Sequence, residues 1–191
     1  MRAKPKSIQF RRKREGKTNY KKRLRLILSG RPRLVVRRTV TGILSQIIIT
    51  GDKGDRVMAS AHSSELRKIG WNYNLANLPS AYLTGMLVAK KAIENNIREA
   101  ILDIGMTIPV KGARVFACLK GAVDAGLEVP FSEDVLPSIE RIRGDHIVKY
   151  AEMMKKSGKY EKVFSEHVKK NADVKDLPKA FEEIKNKILK K

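Results

Sequence analysis

The sequence has 191 residues, 42% of them hydrophobic and 32% charged, with a formal net charge of +21; this suits one domain with a real core plus appended pieces and is tight for two full domains. No apolar run approaches the ~20 residues of a membrane helix, and the N-terminus MRAKPKS lacks the apolar centre of a signal peptide, so a cytosolic protein is expected. One cysteine, Cys118, excludes an internal disulfide, and the scattered His62, His146 and His167 form no zinc-site spacing, so neither a metal nor another cofactor is expected.

Residues 1–38 hold 16 Lys/Arg against one Glu, whereas residues 39–144 sum to +1 and residues 145–191 to +5. Repulsion on that scale opposes folding unless a polyanion neutralises it, and the pattern is the footprint of a nucleic-acid binder. A merely solvated surface is the bland alternative. Anionic lipid is another, but interfacial segments usually pair their cations with Trp, Phe and Leu on one face, so no membrane partner is expected.

Residues 1–16 are too polar to bury much and read as a flexible arm that orders on its partner. From Lys17 a helical pattern begins: Tyr20, Leu24, Ile27 and Leu28 share one face, Thr18 is a candidate cap and Ser29-Gly30 a stop. Two β-branched runs follow, Leu34 to Val40 and Ile43 to Thr50, then the turn GDKGD at 51–55 and a third strand, Arg56 to Ala61. These predict an antiparallel meander.

Residues 62–76 read as a short helix and loop, and Asn77-Leu78-Pro79 opens a long helix reaching about Asn95. EAILDIG, 99–105, predicts a strand buried on both faces. A helix from Ala113 to Ala125 follows, with Gly126 at its C-cap and an extended exit at Glu128-Val129-Pro130. This alternation points to α/β layers around a mixed sheet. Residues 145–191 read as three helical pieces broken near Ser157-Gly158 and residues 171–176. The last carries Leu177, Ala180, Phe181, Ile184 and Ile188 on one face, suited to packing on the protein's own body.

Enzyme readings find little support. A metal-dependent nuclease of the ribonuclease-H kind needs carboxylates converging on two ions. Asp103 could be one, but Asp52 and Asp55 sit in a turn, Asp124 lies near a helix end, and the first strand offers Arg37 and Arg38 instead. Phosphate-binding, dinucleotide-binding and nucleophile-elbow motifs are absent from the sequence, and Cys118 lies mid-helix, where it suits a core. GDKG has the G-x-x-G form of KH domains, but that loop joins helices and this one joins strands. No small-molecule substrate is expected.

Binding chemistry fits better. Ten of the 16 cations in residues 1–38 are arginine, whereas residues 145–191 hold 13 lysines and no arginine. Guanidinium makes bidentate phosphate and base-edge contacts and stacks on bases, which marks the N-terminal third as the specific face. Arg11, Arg12 and Arg14 in the arm and Lys21 and Arg25 on the helix are candidates to bind the nucleic acid. His62 could meet a base or simply end its strand. Trp71 and Tyr73, beside Arg67 and Lys68, could stack unpaired bases or anchor a core. A sequence-blind nucleic-acid chaperone or coating protein is the alternative to a folded recognition surface.

Long segments carry a family resemblance: GKTNYKKRLRLI at 16–27, RPRLVVRRT at 31–39, ASAHSSEL at 59–66, LPSAYLTG at 78–85, AILDIG at 100–105, KGARVFACLKGAVDAGLEVP at 111–130 and PSIERIRGDHI at 137–147. The chain resembles, over nearly its whole length, the 5S-ribosomal-RNA-binding proteins of the large subunit, universal protein eighteen in its archaeal and eukaryotic form. The resemblance implies a three-layer mixed-sheet α/β body of ribonuclease-H-like shape without the nuclease carboxylates. Attached to it would be a basic N-terminal arm and helix and a helical C-terminal extension, at boundaries 1–32, 33–144 and 145–191. It implies a non-enzymatic protein that binds 5S ribosomal RNA and seats it on the large ribosomal RNA in the central protuberance, beside neighbouring ribosomal proteins. Lys17, Asn19, Tyr20, Arg23, Arg31, Arg33, Arg37 and Arg38 would face RNA, together with Ser60, His62, Ser63 and Trp71.

Overall fold

The computed structural model describes residues 7–52, 54–170 and 172–190. Its centre is a four-stranded mixed sheet in the order β3-β2-β1-β4, made of β1 (Arg33–Arg38), β2 (Ile43–Gly51), β3 (Gly54–His62) and β4 (Ile101–Asp103). The first three form the antiparallel meander, and β4 pairs parallel to β1 with Val35 opposite Asp103. A parallel bridge from Glu99 to Glu128 extends the β4 edge towards the exit of the following helix. An extra residue in β3, where Ile47 pairs with Ala59 but Ile48 with Val57, adds local twist.

Alternation sorts the sheet's two faces. Leu34 and Val36 of β1, Ile43 and Ile47 of β2, and Ala59 and Ala61 of β3 point into one core. That core is closed by α4 (Leu78–Glu94) and α5 (Arg114–Asp124). Arg33, Val35 and Arg37 alternate to the opposite face, over which α2 (Tyr20–Leu28) lies. The expected layers are present.

Nearly every face of α4 is buried because the sheet, α5 and the helices Glu65–Ile69, Ile139–Arg143 and Leu177–Lys190 surround it. Asn77 starts it by accepting a hydrogen bond from the Ser80 amide, with Pro79 in the first turn. Against α5 the two backbones approach closely through paired glycines. A Cβ on Gly85 would overlap the carbonyl of Cys118, and one on Gly121 would overlap the carbonyl of Tyr82. Cys118 itself is wholly buried, and burial pushes its thiol up to about 12, so it acts as a small apolar residue.

A second core forms on the other side of α4. Tyr82, Leu83 and Met86 of α4 meet Leu66 of α3 (Glu65–Ile69), Trp71, and Leu177, Phe181, Ile184 and Ile188 of α10 (Leu177–Lys190). The apolar stripe of the last helix therefore packs on the body. Between them run α6 (Ile139–Arg143), α7 (Asp145–Lys156), α8 (Tyr160–Val163) and α9 (Ser165–Lys169), with a small cluster of Ala151, Phe164 and Val174.

Several expectations are corrected. The first strand stops at Arg38, because the Thr39 hydroxyl accepts from the Gly42 amide at 2.9 Å and closes a turn that leaves Val40 exposed. The strand at 99–105 shortens to three residues, with Ile101 and Leu102 only half-buried, since it lies beside an open cleft rather than between two covering layers. The five-residue helix α6 has too little periodicity to be read from sequence. In the arm, Arg11–Arg14 form one helical turn, α1, where no structure was expected; residues 1–6 of that arm lie outside the described residues.

The glycine pair gives a stability prediction. Gly121→Ala forces α4 and α5 apart and lowers unfolding free energy by about 3 kcal/mol, the upper part of the overpacking range, since backbone rather than a flexible side chain blocks the methyl. Urea unfolding of the variant, read as a shift in midpoint at unchanged slope, measures it.

Candidate nucleic-acid interface

Helix α2 is capped by Asn19, whose Oδ1 accepts from the Lys22 amide at 3.1 Å, rather than by Thr18. Thr18 instead accepts from Arg12 Nε at 2.9 Å, tying the α1 turn to the start of α2. None of the residues of α2 is buried. Of the predicted apolar face, Tyr20 and Ile27 are half-buried, but Leu24 and Leu28 are 56% and 76% exposed. The helix is rotated so that Arg23 points to the sheet.

The reason is a chain of ion pairs. Arg23 Nη2 lies 2.9 Å from Asp55 Oδ2. The same oxygen is 2.8 Å from Arg33 Nη2, and Arg33 Nη1 is 3.0 Å from Asp103 Oδ2. Asp103 Oδ1 takes Arg37 Nη2 at 3.1 Å and the Gly105 amide at 2.8 Å. Gly105, at φ +63°, adopts a left-handed conformation that disfavours a side chain, and a Cβ there would also press on the Arg37 guanidinium. Arg33 is buried, and its Nε has no hydrogen-bond partner among the described residues.

Burial alone would raise the Asp55 carboxyl. Hydrogen bonds from Arg33 and Thr50 and the charges of Arg33 and Arg23 outweigh it and hold Asp55 below the usual carboxylate range. Both Asp103 oxygens are engaged by guanidinium groups, which is the structural reason Asp103 is no nuclease ligand. Among the described residues, no three of His, Cys, Asp and Glu come together to hold a metal ion.

Between the arm, α2 and the sheet opens a cleft of about 490 Å³. Arg12, Lys17, Lys22, Arg23, Arg25, Arg33 and Arg37 line it, against Asp55 and Asp103 as the acids. Seven cations facing two acids leave a positive concavity sized for backbone phosphates. Lys22, which the sequence reading left out, belongs to this wall; its place follows from the rotation of α2.

The other sequence candidates are distributed differently. Arg11, Arg14 and Lys21 are exposed beside the cleft, with Arg11 3.5 Å and Lys17 2.8 Å from Glu15. Arg31 sits at the β4 edge, 3.6 Å from Glu99. Arg38, on the opposite face of β1, is exposed, and its charge joins burial in lowering the Arg114 guanidinium. Arg33 is corrected from an RNA contact to an internal ion pair. Ser63 is buried, its Oγ accepting from the Ile43 amide at 3.0 Å, and so closes the meander instead of facing RNA.

Trp71 is corrected too. It is fully buried, with its Nε1 donating to the Asn74 carbonyl at 3.2 Å, and offers no face to a base. Tyr73 joins the same core, edge-on to Trp71. His62 pairs with the Ser64 hydroxyl at 2.7 Å, and the Ser60 carbonyl accepts from Lys91 Nζ, placing both at the far end of β3 from the cleft.

A model of the family described as ribosomal large subunit proteins 60S L5 and 50S L18 matches residues 4–99 and 92–132. The large ribosomal subunit protein uL18 of Desulfurococcus amylolyticus is 51% identical to this chain over 183 residues, 95% of this chain and 93% of that protein. Among the described residues, no helix is long and apolar enough to cross a membrane.

Two predictions follow from the ion chain. Asp103→Asn leaves the buried Arg33 with Asp55 as its one carboxylate partner and costs about 2 kcal/mol in urea unfolding at neutral pH. Asp55 contributes stability that is complete above the ordinary carboxylate range and is lost as pH falls through its depressed folded-state value. Stability curves from about pH 5 to 3 should therefore fall more steeply for the wild type than for Asp55→Asn.

Proposed function

The chain belongs to the family of ribosomal large-subunit proteins 60S L5 and 50S L18, and on that premise we propose that it binds 5S ribosomal RNA and helps attach it to the large ribosomal RNA in the central protuberance. Membership makes it a structural constituent of the large ribosomal subunit and not an enzyme, with ribosomal RNA and other ribosomal proteins as its partners. The choice of 5S ribosomal RNA, and of the surface that holds it, is the proposal.

The observation that supports it best is the cleft under α2. Its cations come from α1, the link to α2, α2 and β1, yet the Arg23–Asp55–Arg33–Asp103 chain fixes α2 on the sheet and the Arg12–Thr18 hydrogen bond ties α1 to α2. A folded RNA presents phosphates at fixed spacings, and a rigid set of cations discriminates such a shape where a flexible polycation responds only to charge. Lys22 and Arg25 are exposed on the wall, and neither forms an ion pair among the described residues. They are free to meet phosphates.

In filter binding with 5S ribosomal RNA, Lys22→Ala and Arg25→Ala each weaken affinity and reduce the slope of log affinity against log salt by about 1. Wild-type protein that binds 5S ribosomal RNA no better than an unrelated duplex at about 0.3 M salt would refute the specific reading and favour a sequence-blind polycation.

A further inference from the structure

Phe10 stands 71% exposed at the start of the most cationic segment of the chain. Its ring centroid lies 5.1 Å from that of Tyr20, the planes inclined by 46°. The α1 turn that follows it is Arg11, Arg12, Lys13 and Arg14, with no acid in its first turn. Phe10 closes that turn by backbone alone, its carbonyl accepting from the Lys13 and Arg14 amides at 2.9 and 3.1 Å. An apolar ring is thus held in water among cations.

Its place is fixed relative to α2. The Arg12 carbonyl accepts from the Lys17 and Thr18 amides, at 2.9 and 3.2 Å, and Arg12 Nε donates to the Thr18 hydroxyl. Phe10 and Tyr20 are therefore presented together, one ring supporting the other. A free polycationic tail would not hold two aromatic rings in a set relation.

We infer that Phe10, backed by Tyr20, is a stacking site for one unpaired nucleobase of the bound RNA, with Arg11 and Lys13 meeting the phosphates on either side. The inference rests on the RNA-binding reading and deepens it by naming an unstacked, single-stranded or bulged nucleotide as the ligand at this point. Charge complementarity selects the occupant: a nucleotide brings a π face for the ring and an anion for the flanking cations in one unit. An apolar protein surface would bury the ring but leave the surrounding cations facing it without counter-charge. Duplex RNA keeps its bases stacked inside and offers the ring nothing.

The test uses the full chain and 5S ribosomal RNA, with an unrelated blunt duplex as control. Phe10→Ala should weaken binding to 5S ribosomal RNA by about 5–150-fold, the range of one lost stacking contact, while the salt slope stays at the wild-type value because no phosphate contact is removed. Binding to the duplex should not change, and thermal unfolding should match the wild type because the ring is exposed. Phe10→Trp should restore affinity, with its emission quenched on binding against the constant background of buried Trp71. Wild-type affinity in Phe10→Ala overturns the inference. So does full restoration by Phe10→Leu, which marks the site as merely apolar and fit for a protein. Failure of the wild-type protein itself to prefer 5S ribosomal RNA overturns the reading beneath it instead.

Discussion

Arg33 is the interaction on which the rest of the structure depends. It stands on an inner strand, buried, and its two terminal nitrogens reach carboxylates on separate strands, Asp55 of β3 and Asp103 of β4. Through Asp55 it also determines where α2 lies, because Arg23 shares that carboxylate. Lysine could not replace it: a single ammonium on a flexible stem lacks the planar fork that holds two carboxylates apart at fixed angles. Buried ion pairs of this kind add little net stability after desolvation. What this one supplies is placement: it sets the strand edges, the entry of Arg37 and the height of α2 above the sheet.

The same arrangement explains how so cationic a chain divides its charge. The acids near the arm are engaged internally, Asp55 and Asp103 under the helix, Glu15 on Arg11 and Lys17, and Glu99 beside Arg31. The cations paired under the helix are structural, whereas Arg11, Lys17 and Arg31 keep exposed pairs that phosphate can displace. Those left over, Lys22 and Arg25 on the cleft wall and the α1 cluster, face outward together, and their mutual repulsion is relieved when ribosomal RNA supplies phosphates. A ribosomal protein of this kind gains part of its stability from its partner.

Much of the fold was legible in the sequence because it rests on local rules. β-Branched runs marked the meander, Asn77 and Pro79 marked the start of α4, and the Leu177, Phe181, Ile184, Ile188 stripe marked a helix with one buried face. The candidate interface was legible as a segment but not residue by residue. Arg33 and Arg37 look alike in the run RPRLVVRR; Asp103, brought close by the parallel pairing of β4, engages both, and the second carboxylate, Asp55 of β3, tells the buried Arg33 from the half-exposed Arg37. The α2 pattern misled for a related reason: periodicity finds an apolar face, but the pull of Asp55 on Arg23 decided which face turned inward. Trp71 beside cations could stack or be buried, and the α10 stripe that buries it lies about a hundred residues further along the chain.

That separation has a kinetic side. The core around Trp71, Tyr82 and Met86 is completed by Phe181, Ile184 and Ile188, so no early part of the chain can close it. At synthesis rates of roughly 5–20 residues per second, these side chains wait roughly 5–20 s for α10, and during that wait an aromatic surface and a free polycationic arm coexist on one nascent chain. Aggregation and promiscuous capture of nucleic acid are then both open to it. Helix α10 thus seals the apolar flank of α4 only after residues 177–190 have been made.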